Sequence, residues 1–144
     1  MRSYLVVANQ TLGGDHLIEK AREYAAAGPC RFHIVVPATP PGEHLTWTEG
    51  ESHAIAERRL QRALERLRGL GLEVDGEVGD ASPLQAIGDA LRRGQFDEIL
   101  LSTLPPGLSR WLKLDLPHRV ERSFGVPVVH LVGEVDRESK PTQE

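Results

Sequence analysis

Short apolar runs recur along this chain, each separated from the next by a stretch of helical periodicity, and that alternation admits few architectures. Tyr4-Leu5-Val6-Val7-Ala8 and Phe32-His33-Ile34-Val35-Val36 are nearly continuous apolar segments, the pattern of strands buried on both faces of a parallel sheet. Between them, Asp15 is placed to cap a helix running to about Ala27, with Leu17, Ile18, Ala21 and Ala25 on one stripe and Gly28-Pro29 as the stop. From residue 51 to 70, the positions Ile55, Ala56, Leu60, Ala63, Leu64 and Leu67 keep the rhythm of an amphipathic helix. Over residues 72–78, Leu72, Val74 and Val78 alternate with Glu73, Asp75 and Glu77, as in an edge strand with one wet face. Ser82 as cap and Pro83 at the first helical position open a further helix with the stripe Leu84, Ile87, Leu91. Fourth and fifth strands are expected at 98–102 and 126–132. Five strands alternating with four helices specify the α/β class: a single doubly wound parallel sheet, helices on both faces, right-handed crossovers.

One domain is expected over residues 1–133, with a charged tail, 134–144, expected to fray. Segment 37–50 holds three prolines and two glycines and reads as a long loop, a candidate lid or partner surface. Net charge is −4 and the basic residues are interleaved with acidic ones, which excludes the footprint of a nucleic-acid binder. The basic stretch 58–68 carries Glu65 within it and Glu57 just before it, and reads as a solvated helix face. No apolar run approaches the roughly 20 residues of a membrane span. The start of the chain lacks a signal-peptide pattern and Cys30 stands alone, so a cytoplasmic location and no disulfide are expected.

The segment Asp97-Glu98-Ile99-Leu100-Leu101-Ser102-Thr103 continues through Gly107-Leu108-Ser109-Arg110 and, further on, Val126-Pro127-Val128-Val129. In these runs the chain resembles the universal stress protein family, well from Gly79 to Val132 and weakly before. The resemblance implies an adenine nucleotide alpha hydrolase-like sheet of order 3-2-1-4-5, with a ligand crevice at the carboxyl ends of strands one and four. It also implies a phosphate loop of pattern Gly-x2-Gly-x9-Gly-Ser/Thr, whose fixed positions here are Leu101, Leu104, Leu114 and Asp115. Glycines in such a loop let backbone N–H groups approach phosphate oxygens. Leucine side chains are expected to occupy that space instead, and Asp115 is expected to accept the His118 N–H and put an internal anion at the helix start. A carboxylate about 4 Å from a phosphate costs on the order of 4 kcal/mol at an effective dielectric near 20. ATP is therefore not expected as a cofactor, and the chain reads as belonging to a branch with a degenerate nucleotide site.

The candidate crevice comprises Ala8, Asn9, Val36, Ser102 and Thr103, with Arg110 and Asp115 beyond. Asn9 stands where the family commonly places an Asp that meets adenine; it either offers an amide to a small polar ligand or closes the turn. An adenine nucleoside or nucleotide sensor, with phosphates against Arg110, is the alternative reading. Leu12-Gly13-Gly14-Asp15 departs from an ATP pyrophosphatase loop at Leu12, at the missing spacer and at His16. Six histidines are scattered without i, i+4 spacing, so no metal is expected; His16 and His118 are the pair that a pH-sensitive cluster would use. Ser109 lacks the Gly-x-Ser-x-Gly setting of a nucleophile, and no catalytic machinery is expected. The last strand, with Val126, Val128, His130 and Val132, would expose an edge unless another chain covers it; by resemblance it implies a homodimer. The expected function is non-catalytic, through protein contacts or a small ligand, with no nucleic acid and no membrane.

Overall fold

The computed structural model describes residues 1–39 and 48–133. Ten elements follow in order: β1 (Arg2–Val7), α1 (Asp15–Ala27), β2 (Cys30–Pro37), α2 (Glu49–Gly69), β3 (Val74–Gly79), α3 (Pro83–Arg93), β4 (Glu98–Thr103), α4 (Arg110–Lys113), α5 (Leu116–Phe124) and β5 (Val128–Val132). The strands form one five-stranded sheet of order β3-β2-β1-β4-β5. Every pairing is parallel, with Val7 opposite Val35 on one side and opposite Leu101 on the other. The expected α/β architecture and strand order are both present.

Alternation along the strands divides the core in two. Tyr4, Val6, Phe32, Ile34 and Leu100 pack against Leu17, Ala21, Ala56, Leu60 and Leu64 of α1 and α2. Leu5, Val7, Val35, Ile99 and Leu101 pack against Ala86, Ile87, Leu116 and Val120 of α3 and α5. Continuous apolar strands are what a sheet covered on both faces requires. Gly76 and Gly79 bring the helices close: a Cβ at Gly76 would lie 2.6 Å from Leu60 Cδ1, and one at Gly79 would lie 2.8 Å from Ala86 Cβ.

Several local expectations are corrected. The cap of α1 is Gly14, whose carbonyl accepts from Leu17 and Ile18; Asp15 is already in the first turn, where its charge complements the helix dipole and reaches Arg66 at 3.4 Å. Helix α2 starts at Glu49, because Thr48 caps it by accepting the Glu51 N–H at 3.1 Å. Strand β3 begins two residues later than the alternation predicts, and its acidic side chains are not simply wet: Asp75 and Glu77 hold His33. Residues 110–113 add a short fifth helix. Val126 precedes β5 rather than belonging to it and packs on the second core, since Pro127 has no N–H for the ladder. The cap of α3 is as expected, with Ser82 accepting from Gln85, and Gly94 ends the helix.

The proposed lid at 37–50 falls mostly, and the tail 134–144 wholly, outside the described residues. Among the described residues no helix is long and apolar enough to cross a membrane.

Candidate functional site

In a sheet of this order the chain leaves β1 and β4 in different directions, which opens a crevice at their carboxyl ends. The register that sets Val7 beside Leu101 puts the next residues, Ala8 and Ser102, at its floor. Ala8, Asn9, Ser102 and Thr103 are all buried there, and Val36, which follows the Val35 partner of Val7, is buried beside them.

The polar groups of this crevice hold one another. Asn9 donates an amide hydrogen to the Pro37 carbonyl at 2.9 Å and accepts from Arg59 Nη1 through its carbonyl oxygen. Arg59 arrives from α2 and is only 6 % exposed, so its guanidinium is a buried charge that needs partners to persist. On the other wall, Thr11 Oγ1 and Ser102 Oγ are hydrogen-bonded at 2.6 Å, and His16 Nε2 meets the same Ser102 oxygen at 2.7 Å. One proton order, Thr11 to Ser102 to His16 or the reverse, satisfies all three. The His16 ring lies between Gly14 and Gly133: a Cβ at Gly133 would fall 1.9 Å from His16 Cε1, and one at Gly14 would fall 2.6 Å away. A side chain at either place would force the ring to move from Ser102.

Thr103 donates its hydroxyl hydrogen to the Leu104 carbonyl at 2.9 Å, leaving a lone pair to accept from His130 Nε2–H at 2.7 Å. Partial desolvation of this ring, in a residue that is exposed overall, lowers the His130 imidazole from its ordinary value of 6.5. Folding therefore favours the neutral ring: the contribution is fully present above the unfolded value and is lost as pH falls through the folded one. We expect urea midpoints of the wild type to fall faster between neutral and mildly acid pH than those of His130→Gln. Parallel midpoint curves for the two proteins would contradict the assignment.

The remaining sequence candidates lie elsewhere. Arg110 opens α4 on the exposed side, and Asp115 is exposed between α4 and α5. Asp115 does not cap α5 as expected. Its backbone is left-handed, with φ 55°, which an aspartate tolerates better than most residues, and its carboxylate takes His118 Nδ1 at 2.8 Å in place of a backbone N–H. At 55 % side-chain exposure, its repulsion of a phosphate lies nearer the ~1 kcal/mol of bulk water than the ~4 kcal/mol of a partly buried pair. The leucines also differ from expectation. Leu101 points into the core against α3 and α5, Leu104 is buried, and Leu114 is 58 % exposed. Strand alternation turns Leu101 into the core beneath α3 and α5, and Leu114 faces solvent.

Arg59 was hidden in the basic stretch read as a solvated face. Its signal is positional: it falls three residues after Ala56 and four before Ala63, on the buried stripe. The histidines do not gather. His33 binds carboxylates, His16 binds Ser102, and His118 binds Asp115. Among the described residues no group of three His, Cys, Asp or Glu side chains could hold a metal ion; His44 lies outside them. Burial raises the Cys30 thiol above its ordinary value, which fits a packing role.

No protein-family model and no curated protein matches the sequence. Among solved structures, the chain is similar to a universal stress protein from Archaeoglobus fulgidus, with a TM-score of 0.62 at 18 % identity, over 90 % of this chain and 93 % of that one. The chain has the fold of a universal stress protein. The self-paired network of Asn9, Arg59, Thr11, Ser102 and His16 lies at the carboxyl ends of β1 and β4, where a sheet of this order opens its crevice.

Proposed function

We propose that this chain is a non-catalytic, cytoplasmic protein of universal stress type. In this reading it dimerises through β5, does not hold ATP in the family manner, and acts through protein contacts or a small ligand. The observation that carries the reading is the buried pair of Asn9 and Arg59. A guanidinium anchored from α2 stands against the residue that a base would meet, and Asn9 has its carbonyl and one amide hydrogen engaged. A base entering there must replace the bond from the buried Arg59 charge, worth about 1.5–3 kcal/mol, and the neutral bond to Pro37, worth about 0.5–1.5 kcal/mol. At the phosphate end the sequence lacks the glycines of a phosphate loop at 101, 104 and 114, which supports the reading through the missing loop pattern and not through bulk in the crevice, since Leu101 lies in the core and Leu114 is exposed. Homodimerisation rests on β5, a sheet-edge strand paired to β4 alone among the described residues, with Val132 exposed.

Isothermal titration with ATP and magnesium tests the first part, and no binding tighter than millimolar is expected. Micromolar affinity would overturn it. Adenosine, AMP and cyclic AMP in the same series test the sensor alternative, which predicts that at least one of them binds at the crevice while ATP does not.

A further inference from the structure

We propose that the cavity at the amino-terminal end of the sheet, on the α3 side, binds a small zwitterion with an apolar body, of the class of a free aromatic α-amino acid. The cavity has a volume of about 360 Å³ and is lined by Arg31, His33, Asp75, Arg93, Gln95 and Phe96 among others. That is the small end of the range of ligand pockets, about 300–1,000 Å³. Arg31 and Asp75 are each the second residue of their strand, so the cavity lies at the opposite end of the sheet from the crevice.

Its polar wall is held in place by its own contacts. His33 bridges two carboxylates, Nδ1 to Asp75 Oδ1 at 2.7 Å and Nε2 to Glu77 Oε2 at 2.7 Å, and the second Glu77 oxygen takes Arg93. The imidazole stacks with Phe96, ring centres 6.0 Å apart at 29°. Glu77 thus has both oxygens engaged, whereas Asp75 has one engaged and is 74 % exposed at its side chain. Arg31 donates Nε to Ser3 Oγ at 2.7 Å, and its terminal nitrogens carry no hydrogen bond among the described residues.

Leaving the imidazole aside, the wall carries two guanidiniums, Arg31 and Arg93, and two carboxylates, Asp75 and Glu77. A simple anion drawn to Arg31 is repelled by Asp75, and a simple cation meets the reverse. A molecule that separates an ammonium from a carboxylate by one carbon satisfies both with charge-assisted hydrogen bonds. Phe96, Ala90 and the face of His33 offer its body an apolar and aromatic surface.

An amide-resolved NMR titration of the full chain with L-phenylalanine tests the site, with phenethylamine and phenylpropionate as single-charge controls. Shifts are expected at Arg31, Asp75, Gly94, Gln95 and Phe96, with each control binding at least about tenfold more weakly, the loss that follows removal of one charge-assisted contact. Asp75→Asn and Arg31→Gln should each weaken L-phenylalanine by about the same factor, and the dispersion of their spectra reports directly that they fold. No shifts, shifts centred on the crevice, or equal binding of either control would each overturn the proposal. It stands independently of the crevice reading.

Discussion

Asn9→Ala is expected to lower the free energy of unfolding by about 2–4 kcal/mol, the sum of an orphaned buried carbonyl and a weakened buried charge. Asn9 is 9 % exposed and Arg59 is 6 % exposed, so water cannot simply replace the missing amide. Two bonds go at once, the Asn9 donation to Pro37 and the acceptance from Arg59. For a chain of this length the loss corresponds to a fall in melting temperature of roughly 6–12 °C. Arg59→Met alone should also destabilise, because it leaves the Asn9 carbonyl buried without its donor. The double substitution should cost less than the sum of the singles, since each single strands a partner that the double removes. Differential scanning calorimetry of the four proteins closes the cycle. An Asn9→Ala melting curve superimposable on the wild type would show that the pair contributes nothing, and the main support for the proposed function would go with it.

Val132→Asp is expected to convert a dimer into a monomer. Strand β5 lies at the edge of the sheet, and Val132, 47 % exposed in the single chain, ends it. A two-fold contact repeats every substitution on both sides of the interface. Burying an unpaired carboxylate there costs several kcal/mol per chain, so the dissociation constant should rise at least about 100-fold. In the isolated chain the position is a surface one, and the variant should keep its unfolding free energy to within about 0.5 kcal/mol once dimerisation is removed from the comparison. Sedimentation velocity across a dilution series measures the first effect and urea unfolding the second. A wild type that sediments as a monomer at tens of micromolar, or a variant that dimerises equally well, would exclude β5 as the interface.

Much of the candidate site was legible in outline. Ser82-Pro83 marks the start of α3 through short-range chemistry, a hydroxyl accepting from Gln85 and a ring already set at a helical φ. Asn9 follows β1 and Ser102 lies near the end of β4, so the strand order that the resemblance implies carries both to one rim. Arg59 was not legible from composition, because a charge among charges reads as solvated until the stripe of Ala56, Leu60 and Ala63 is seen to include it. Asp115 was misread for a related reason. Its spacing to His118 permits either a backbone cap or a ring contact, and the left-handed backbone at 115 selects the ring.

Residue order alone determined the alternation of strands and helices, the two-faced burial of the sheet and the break at Gly28, because periodicity, capping and turn chemistry act over a few residues. Tertiary structure decided what those residues meet. It turned Leu101 into the core and Leu114 to solvent, set His16 between Gly14 and Gly133, and brought Arg59 to Asn9 across 50 positions of chain. Such contacts depend on how α2 and β4 lie against β1, a three-dimensional relation that no local pattern encodes. The crevice was foreseeable through the strand order that the family resemblance implies, whereas the guanidinium held in it was visible only once the helices had packed.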